Sequence, residues 1–124
     1  MTIKAISVRH PWIDLILEGR KTVELRGRAT RYRGDLHLQA SKTYGPAEKE
    51  AAARLGVAAP SPGMLGVVLG KVRLVDCRKV TDEDWTAALA EPRQTRPYAW
   101  LLEKPKRMKP FPARGARALF EIER

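Results

Sequence analysis

The 124-residue sequence predicts an α+β fold built on a small, closed or nearly closed β-barrel of five to six strands with about three short helices. Two observations carry that expectation. Short segments alternate apolar and polar residues with the two-residue period of strands, and they are separated by turn residues at irregular intervals. The helical segments between them do not recur in a strand–helix–strand rhythm, which argues against a parallel doubly wound sheet.

Ile3 to Val8 is the first strand, apolar at Ile3, Ala5 or Ile6, and Val8, with Lys4 facing out. Pro11 suits a first helical turn, where its missing N–H is not needed. Trp12, Ile13, Leu15, Ile16 and Leu17 then cover most of a helix, leaving Asp14 and Glu18 on the wet stripe before Gly19 ends it. Thr22 to Gly27 alternates again, with Val23 and Leu25 on one face and Glu24 and Arg26 on the other. After a basic turn from Arg28 to Arg33, Asp35 to Ser41 places Leu36, Leu38 and Ala40 inward and His37 and Gln39 on the opposite face, where His37 reads as a solvated or partly packed residue rather than a ligand.

Pro46 to Leu55 is rich in strong helix formers, and a proline- and glycine-rich loop follows it from Ala58 to Gly63. Met64 to Val75 is the longest strand expected, with Gly66 and Gly70 marking bends or close backbone approach. Thr81 with Asp82, Glu83 and Asp84 has the form of a capped helix start, which accounts for that acidic cluster without chemistry. Tyr98 to Leu102 is a strand with Tyr98 and Trp100 on one face, serving as core or as a stacking platform. Lys104 to Pro112 is a basic, proline-broken segment, and Arg117 to Glu123 closes the chain as a strand.

Composition narrows function. The chain is long enough for one domain over residues 1–124, and its longest apolar runs fall far short of the ~20 residues of a membrane span, so an intracellular, cytoplasmic protein is expected. The single cysteine, Cys77, excludes an intrachain disulfide and a cysteine-based zinc site; it reads as a small buried residue. No metal and no cofactor is expected. Basic residues outnumber acidic ones 24 to 14, a net charge of +10 that favours polyanions. Arg20, Lys21, Arg26, Arg28, Arg31, Arg33 and Lys42 stand against Glu24 and Asp35 in one stretch. A second basic run extends from Arg93 to Arg117, interrupted by Glu103.

The chemistry-bearing residues concentrate between Ser7 and Arg26. Lys21 follows the glycine stop, before strand alternation takes hold, and can share a side with Glu24; the pair is a groove-wall site or an ordinary surface ion pair. His10 and Trp12 offer an imidazole and a stacking ring at a helix entry, although Trp12 also fits the core. No phosphate-binding glycine loop occurs, and Ser7 lacks the setting of a nucleophile elbow.

Gly19-Arg20-Lys21-Thr22-Val23-Glu24-Leu25-Arg26 fits the Gly-x-Lys-x-x-Glu-x-Arg motif of the ASCH domain, the activating signal cointegrator homology domain. Ser7, His10-Pro11-Trp12, Arg33-Gly34, Leu65-Gly66, Pro97-Tyr98 and Gly115 resemble its cointegrator-type members in order and spacing. The resemblance implies a fold related to the PUA domain and nucleic-acid association. It also implies a cleft lined by Lys21, Glu24 and Arg26 and flanked by His10, Pro11 and Trp12.

A bacterial branch of that family hydrolyses N4-acetylcytidine with a lysine, a threonine and a distal glutamate; Lys21 matches the lysine, whereas Glu24 stands in the threonine's place. The expected activity is therefore binding of RNA, with DNA as the other nucleic acid, through Arg9, His10, Trp12, Arg26, Arg28, Arg31, Arg33 and Lys42 around Lys21 and Glu24. The competing expectations are a hydrolase of a modified nucleoside or a ribonuclease with Lys21 and Glu24 as catalytic residues, and a structural partner in a larger assembly.

Overall fold

A computed structural model describes residues 1–124. Its elements run β1 (Thr2–Val8), α1 (Trp12–Leu17), β2 (Val23–Arg26), β3 (Gly34–Ala40), α2 (Pro46–Leu55), β4 (Val67–Lys79), α3 (Asp82–Ala87), β5 (Tyr98–Pro112) and β6 (Phe120–Glu123). The strands form one mixed sheet in the order β2-β5-β4-β3-β1-β6, antiparallel except where β1 pairs with β3.

The fold is α+β, but the expected barrel is not closed. β2 has only β5 as a ladder partner and β6 only β1, so both remain edges. The sheet nevertheless curls until the β2 side nears β1, where a side chain replaces the missing ladder. Arg26 Nη1 donates to the Ser7 carbonyl at 3.4 Å and Nη2 to the Arg117 carbonyl at 3.0 Å.

The curled sheet encloses one main apolar cluster. α1 contributes Ile13, Ile16 and Leu17 to it, against Leu36 and Leu38 of β3, Leu74 of β4 and Trp100 and Leu102 of β5. Fully burying each such side chain contributes ~1.5–3 kcal/mol relative to exposure, which offsets the weak intrinsic stability of a six-residue helix. Trp100 is core rather than platform, and its indole N–H donates to the Arg28 carbonyl at 3.0 Å. Cys77 is half-buried against the same cluster.

β5 departs most from expectation. It continues ten residues beyond Leu102, through Pro105 and Pro110, as far as Pro112. β2 pairs only with Tyr98–Leu101, so the distal half of β5 is an edge, where proline's missing N–H breaks no ladder. Register shifts against β4 absorb the rest. Lys71 lies opposite Lys106 and Arg73 opposite Glu103, so Lys104 (φ +52°) and Pro105 bulge together across from Val72. Gly70 sits in that coiled ribbon; a Cβ there would meet the Lys106 carbonyl oxygen and approach Leu17 Cδ2 to 2.7 Å.

His37 and Gln39 are both buried on the outer face of β3. Gln39 is covered by the segment after β5, its Nε2 donating to the Ala113 carbonyl at 2.9 Å. His37 is desolvated beside Lys71 and Arg124, and that burial pushes its pKa down. At α3, Asp84 closes the capping box by accepting the Thr81 N–H at 2.8 Å and also takes the Arg78 guanidinium, so Asp84 is structural, while Asp82 and Glu83 are exposed in the first turn. No helix is long and apolar enough to cross a membrane.

Candidate functional site

α1 ends at Gly19, whose φ of +82° turns the chain so that the Arg20 and Lys21 N–H groups both donate to the Leu15 carbonyl. Lys21 therefore enters β2 from a fixed corner. Its side chain is 4% exposed and runs to the C-terminal end of α3, where Nζ donates to the Ala88 carbonyl at 2.7 Å. The Thr22 N–H takes the Ala87 carbonyl at 3.0 Å, so two carbonyls left over by the end of α3 are satisfied by consecutive residues.

Glu24 completes the arrangement. Its Oε1 lies 3.5 Å from Lys21 Nζ and its Oε2 3.2 Å from Arg26 Nη1, so one carboxylate is clamped between two cations. Burial pushes the Lys21 pKa down, and the Glu24 charge and hydrogen bond oppose that shift. Arg26 also lies over the Trp100 ring, 5.6 Å from its centroid. Lys21 has three N–H donors and two protein acceptors, which leaves one donor for a ligand.

These groups line a cleft of ≈ 740 Å³ between β1, β2 and the chain that follows α3. Arg9 and half-buried Trp12 stand on its wall with Lys21, Glu24 and Arg26. Arg9 is not a free cation there, since it pairs with Glu48 at 3.1 Å.

His10 does not join them. It is 2% exposed, with Nδ1 2.6 Å from Asp14 Oδ2 and Nε2 2.9 Å from the Met64 carbonyl. It ties α1 to the loop before β4 and borders a different, smaller depression. The basic turn divides as well. Arg28 lines a neighbouring groove with Arg26, Trp100 and Arg117. Arg33 folds back on the Thr30 and Tyr32 carbonyls and reaches Asp76 at 3.3 Å, while Arg31 is exposed and lines none of these grooves. Lys42 lies in a third groove on the far side of Ser7.

Sequence reasoning missed Arg54, Arg93 and the Ala88–Glu91 backbone, all on the cleft wall. Arg93 belonged to a visible basic run, but nothing local shows that it would fold over the Trp85 ring at 5.5 Å. Leu89 adopts φ +56°, a turn with no glycine to announce it.

Comparison with known proteins bears on this arrangement. The family model described as the ASCH domain matches residues 6–112. No curated protein matches the chain. Among solved structures, it is similar to the ASCH protein of Zymomonas mobilis, with a TM-score of 0.61 and 14% identity over 97% of this chain and 87% of that one. Two point mutants of the same bacterial protein give TM-scores of 0.64, at 15% and 16% identity over 97% of this chain and 89% and 87% of theirs. At such identities the likeness concerns the fold. With most of its length matched by the family model and its fold shared with these structures, the chain belongs to the ASCH domain family.

Proposed function

We propose that the chain is a nucleic-acid-binding module that takes an unpaired base of RNA into the cleft beside Lys21. The observation that carries this reading is the clamped carboxylate. Glu24 is fixed as an acceptor between two donors, in a cleft of ≈ 740 Å³ that Trp12 and several arginines also line. Unpaired bases are recognised by hydrogen bonds to their edges and by stacking on aromatic rings, and both kinds of partner meet here. Glu24 would accept from an exocyclic amine or ring N–H, the spare Lys21 N–H would meet a base carbonyl, and Trp12 would stack. Arg54 and Arg93, neither of them ion-paired, would supply phosphate contacts at the rim.

Fluorescence anisotropy with labelled single-stranded RNA, duplex RNA and single-stranded DNA of one sequence tests this. Single-stranded RNA should bind most tightly. Glu24→Gln and Trp12→Leu should each weaken it about tenfold, the scale of one lost stacking or charged base contact. Equal affinity of all three nucleic acids, or variants that bind like the wild type, would refute base reading in this cleft.

The second reading is hydrolysis of a modified nucleoside, and the desolvated Lys21 ammonium with its lowered pKa is the observation that favours it. Incubation with N4-acetylcytidine and with structured RNA distinguishes the two. Turnover that disappears in Lys21→Ala supports the enzyme, and its absence alongside tight binding supports the module.

A further inference from the structure

The Lys21 cleft does not hold all of the uncompensated positive charge. Within that cleft Glu24 and Glu91 offset part of the charge, and Arg9, Lys21 and Arg26 are already ion-paired. Across Ser7 lies a groove of ≈ 690 Å³ lined by Lys42, Arg114 and Arg117, with no acidic residue. All three cations are exposed, and none takes part in any of the ion pairs of the molecule.

The loop that presents Arg114 and Arg117 is held in place by buried polar groups. Gln39, 2% exposed, donates to the Ala113 carbonyl at 2.9 Å. Ser7 Oγ donates to Gln39 Oε1 at 2.7 Å and accepts the Ala116 N–H at 3.2 Å. Arg26 holds the Arg117 carbonyl at 3.0 Å. Gly115 is pressed so closely on this network that a Cβ would lie 2.5 Å from Ser7 Oγ and 2.7 Å from Gln39 Oε1.

On the opposite wall Lys42 drapes over Gly66, its Cε 2.9 Å from where a Cβ would stand, so the glycine makes room for the stem. An interior amide that anchors a loop, and a glycine under each wall, fix the backbone from which the three cations project, so binding has to order only their side chains.

We infer that this groove is a phosphodiester subsite: a single-stranded nucleic acid with one base in the Lys21 cleft runs past Ser7 and lays its next phosphates between Lys42, Arg114 and Arg117. This rests on the nucleic-acid reading of the cleft and extends it. The two cavities share Ser7, and Arg26 on the wall of one donates to the Arg117 carbonyl on the wall of the other, so the two adjoin and a strand leaving the cleft on that side meets the groove next.

The test compares a trinucleotide with a dodecamer of single-stranded RNA on the wild type, on the triple variant Lys42→Gln, Arg114→Gln, Arg117→Gln, and on Gly115→Ala, with circular dichroism to verify folding. If each cation covers one phosphate, the triple variant should lower the salt-dependence slope for the dodecamer by about 2 and its affinity by up to roughly a hundredfold at about 0.1 M salt. Trinucleotide binding, with at most two phosphates able to reach the groove, should fall less. Gly115→Ala, which keeps the charges and displaces the loop, should weaken the dodecamer selectively. A triple variant that binds the dodecamer like the wild type overturns the subsite and leaves the cleft reading standing. Equal loss for both lengths overturns it as well, since the charge then acts at long range. A wild type that binds neither RNA removes the cleft reading and the subsite with it.

Discussion

Replacing Lys21 by methionine keeps the apolar stem and removes the ammonium, and it should destabilise the protein by about 2 kcal/mol. The Ala88 carbonyl loses its 2.7 Å donor in a site where the lysine is 4% exposed, and an unsatisfied buried acceptor costs ~1–3 kcal/mol. Glu24 loses one cation but keeps Arg26 at 3.2 Å, so the larger penalty of an orphaned buried charge does not apply. For a chain of this size the melting temperature should fall by roughly 6–10 °C.

The pH dependence identifies the cause. Burial lowers the folded-state pKa of Lys21 below its unfolded value, so between the two the unfolded chain binds more protons. Wild-type stability therefore gains on the methionine variant as pH rises through that window towards 10.5. Urea unfolding of both proteins from neutral pH to about pH 10 measures the difference directly. A variant as stable as the wild type, with a difference that is flat in pH, would refute the desolvated, carbonyl-bonded lysine on which the site geometry depends.

His10 behaves oppositely. Burial alone would lower its pKa, but the Asp14 hydrogen bond and the Met64 carbonyl raise it, so its contribution is complete below pH 6.5 and is lost as pH rises through the folded value. Urea titrations of wild type and His10→Gln should give a stability gap that narrows as the pH rises above 6.5; a constant gap would refute the imidazolium bridge. Gly70→Ala should destabilise by about 3 kcal/mol because the new Cβ meets Lys106 backbone rather than a movable side-chain tip. A thermal shift of less than a few degrees would mean that the β4–β5 ribbon relaxes there. Asp84→Asn should cost about 1.5–3 kcal/mol through the lost Arg78 charge pairing, and unchanged thermal unfolding would contradict its structural role.

What could be read from the sequence was local. α2 spans Pro46–Leu55, as its composition implies, and the β2 and β3 alternations place Val23, Leu36, Leu38 and Ala40 inside. The distal half of β5 was illegible because Pro105 and Pro110 signal a break unless the strand is an edge and its partner accepts bulges, which are properties of the assembled sheet. That the barrel stays open was likewise illegible: β2 and β6 each find one partner strand, and Arg26, the last residue of β2, reaches Ser7 of β1 through its side chain.

In the site, Lys21 and Glu24 lie three residues apart and their approach was within reach of sequence reasoning. The Ala88 carbonyl arrives from 67 residues away and carries no side-chain signal. His10, expected on the flank of the cleft, lies apart from it, because Asp14 stands four residues on, one helical turn from it, and holds the ring in the interior. The Arg93–Arg117 basic run was visible, but which of its members face a groove is decided by Gln39 and Ser7, far away in the chain.

Amide chemical-shift mapping during titration with a short single-stranded RNA tests most directly whether the Lys21 cleft and the groove beyond Ser7 are one nucleic-acid path. The perturbed amides should cluster at Lys21–Arg26, Ala88–Glu91 and Arg114–Arg117, the backbone lining both cavities. Shifts confined to the Tyr44 and Ala59–Leu65 depression, or a spectrum unchanged by saturating RNA, would contradict it.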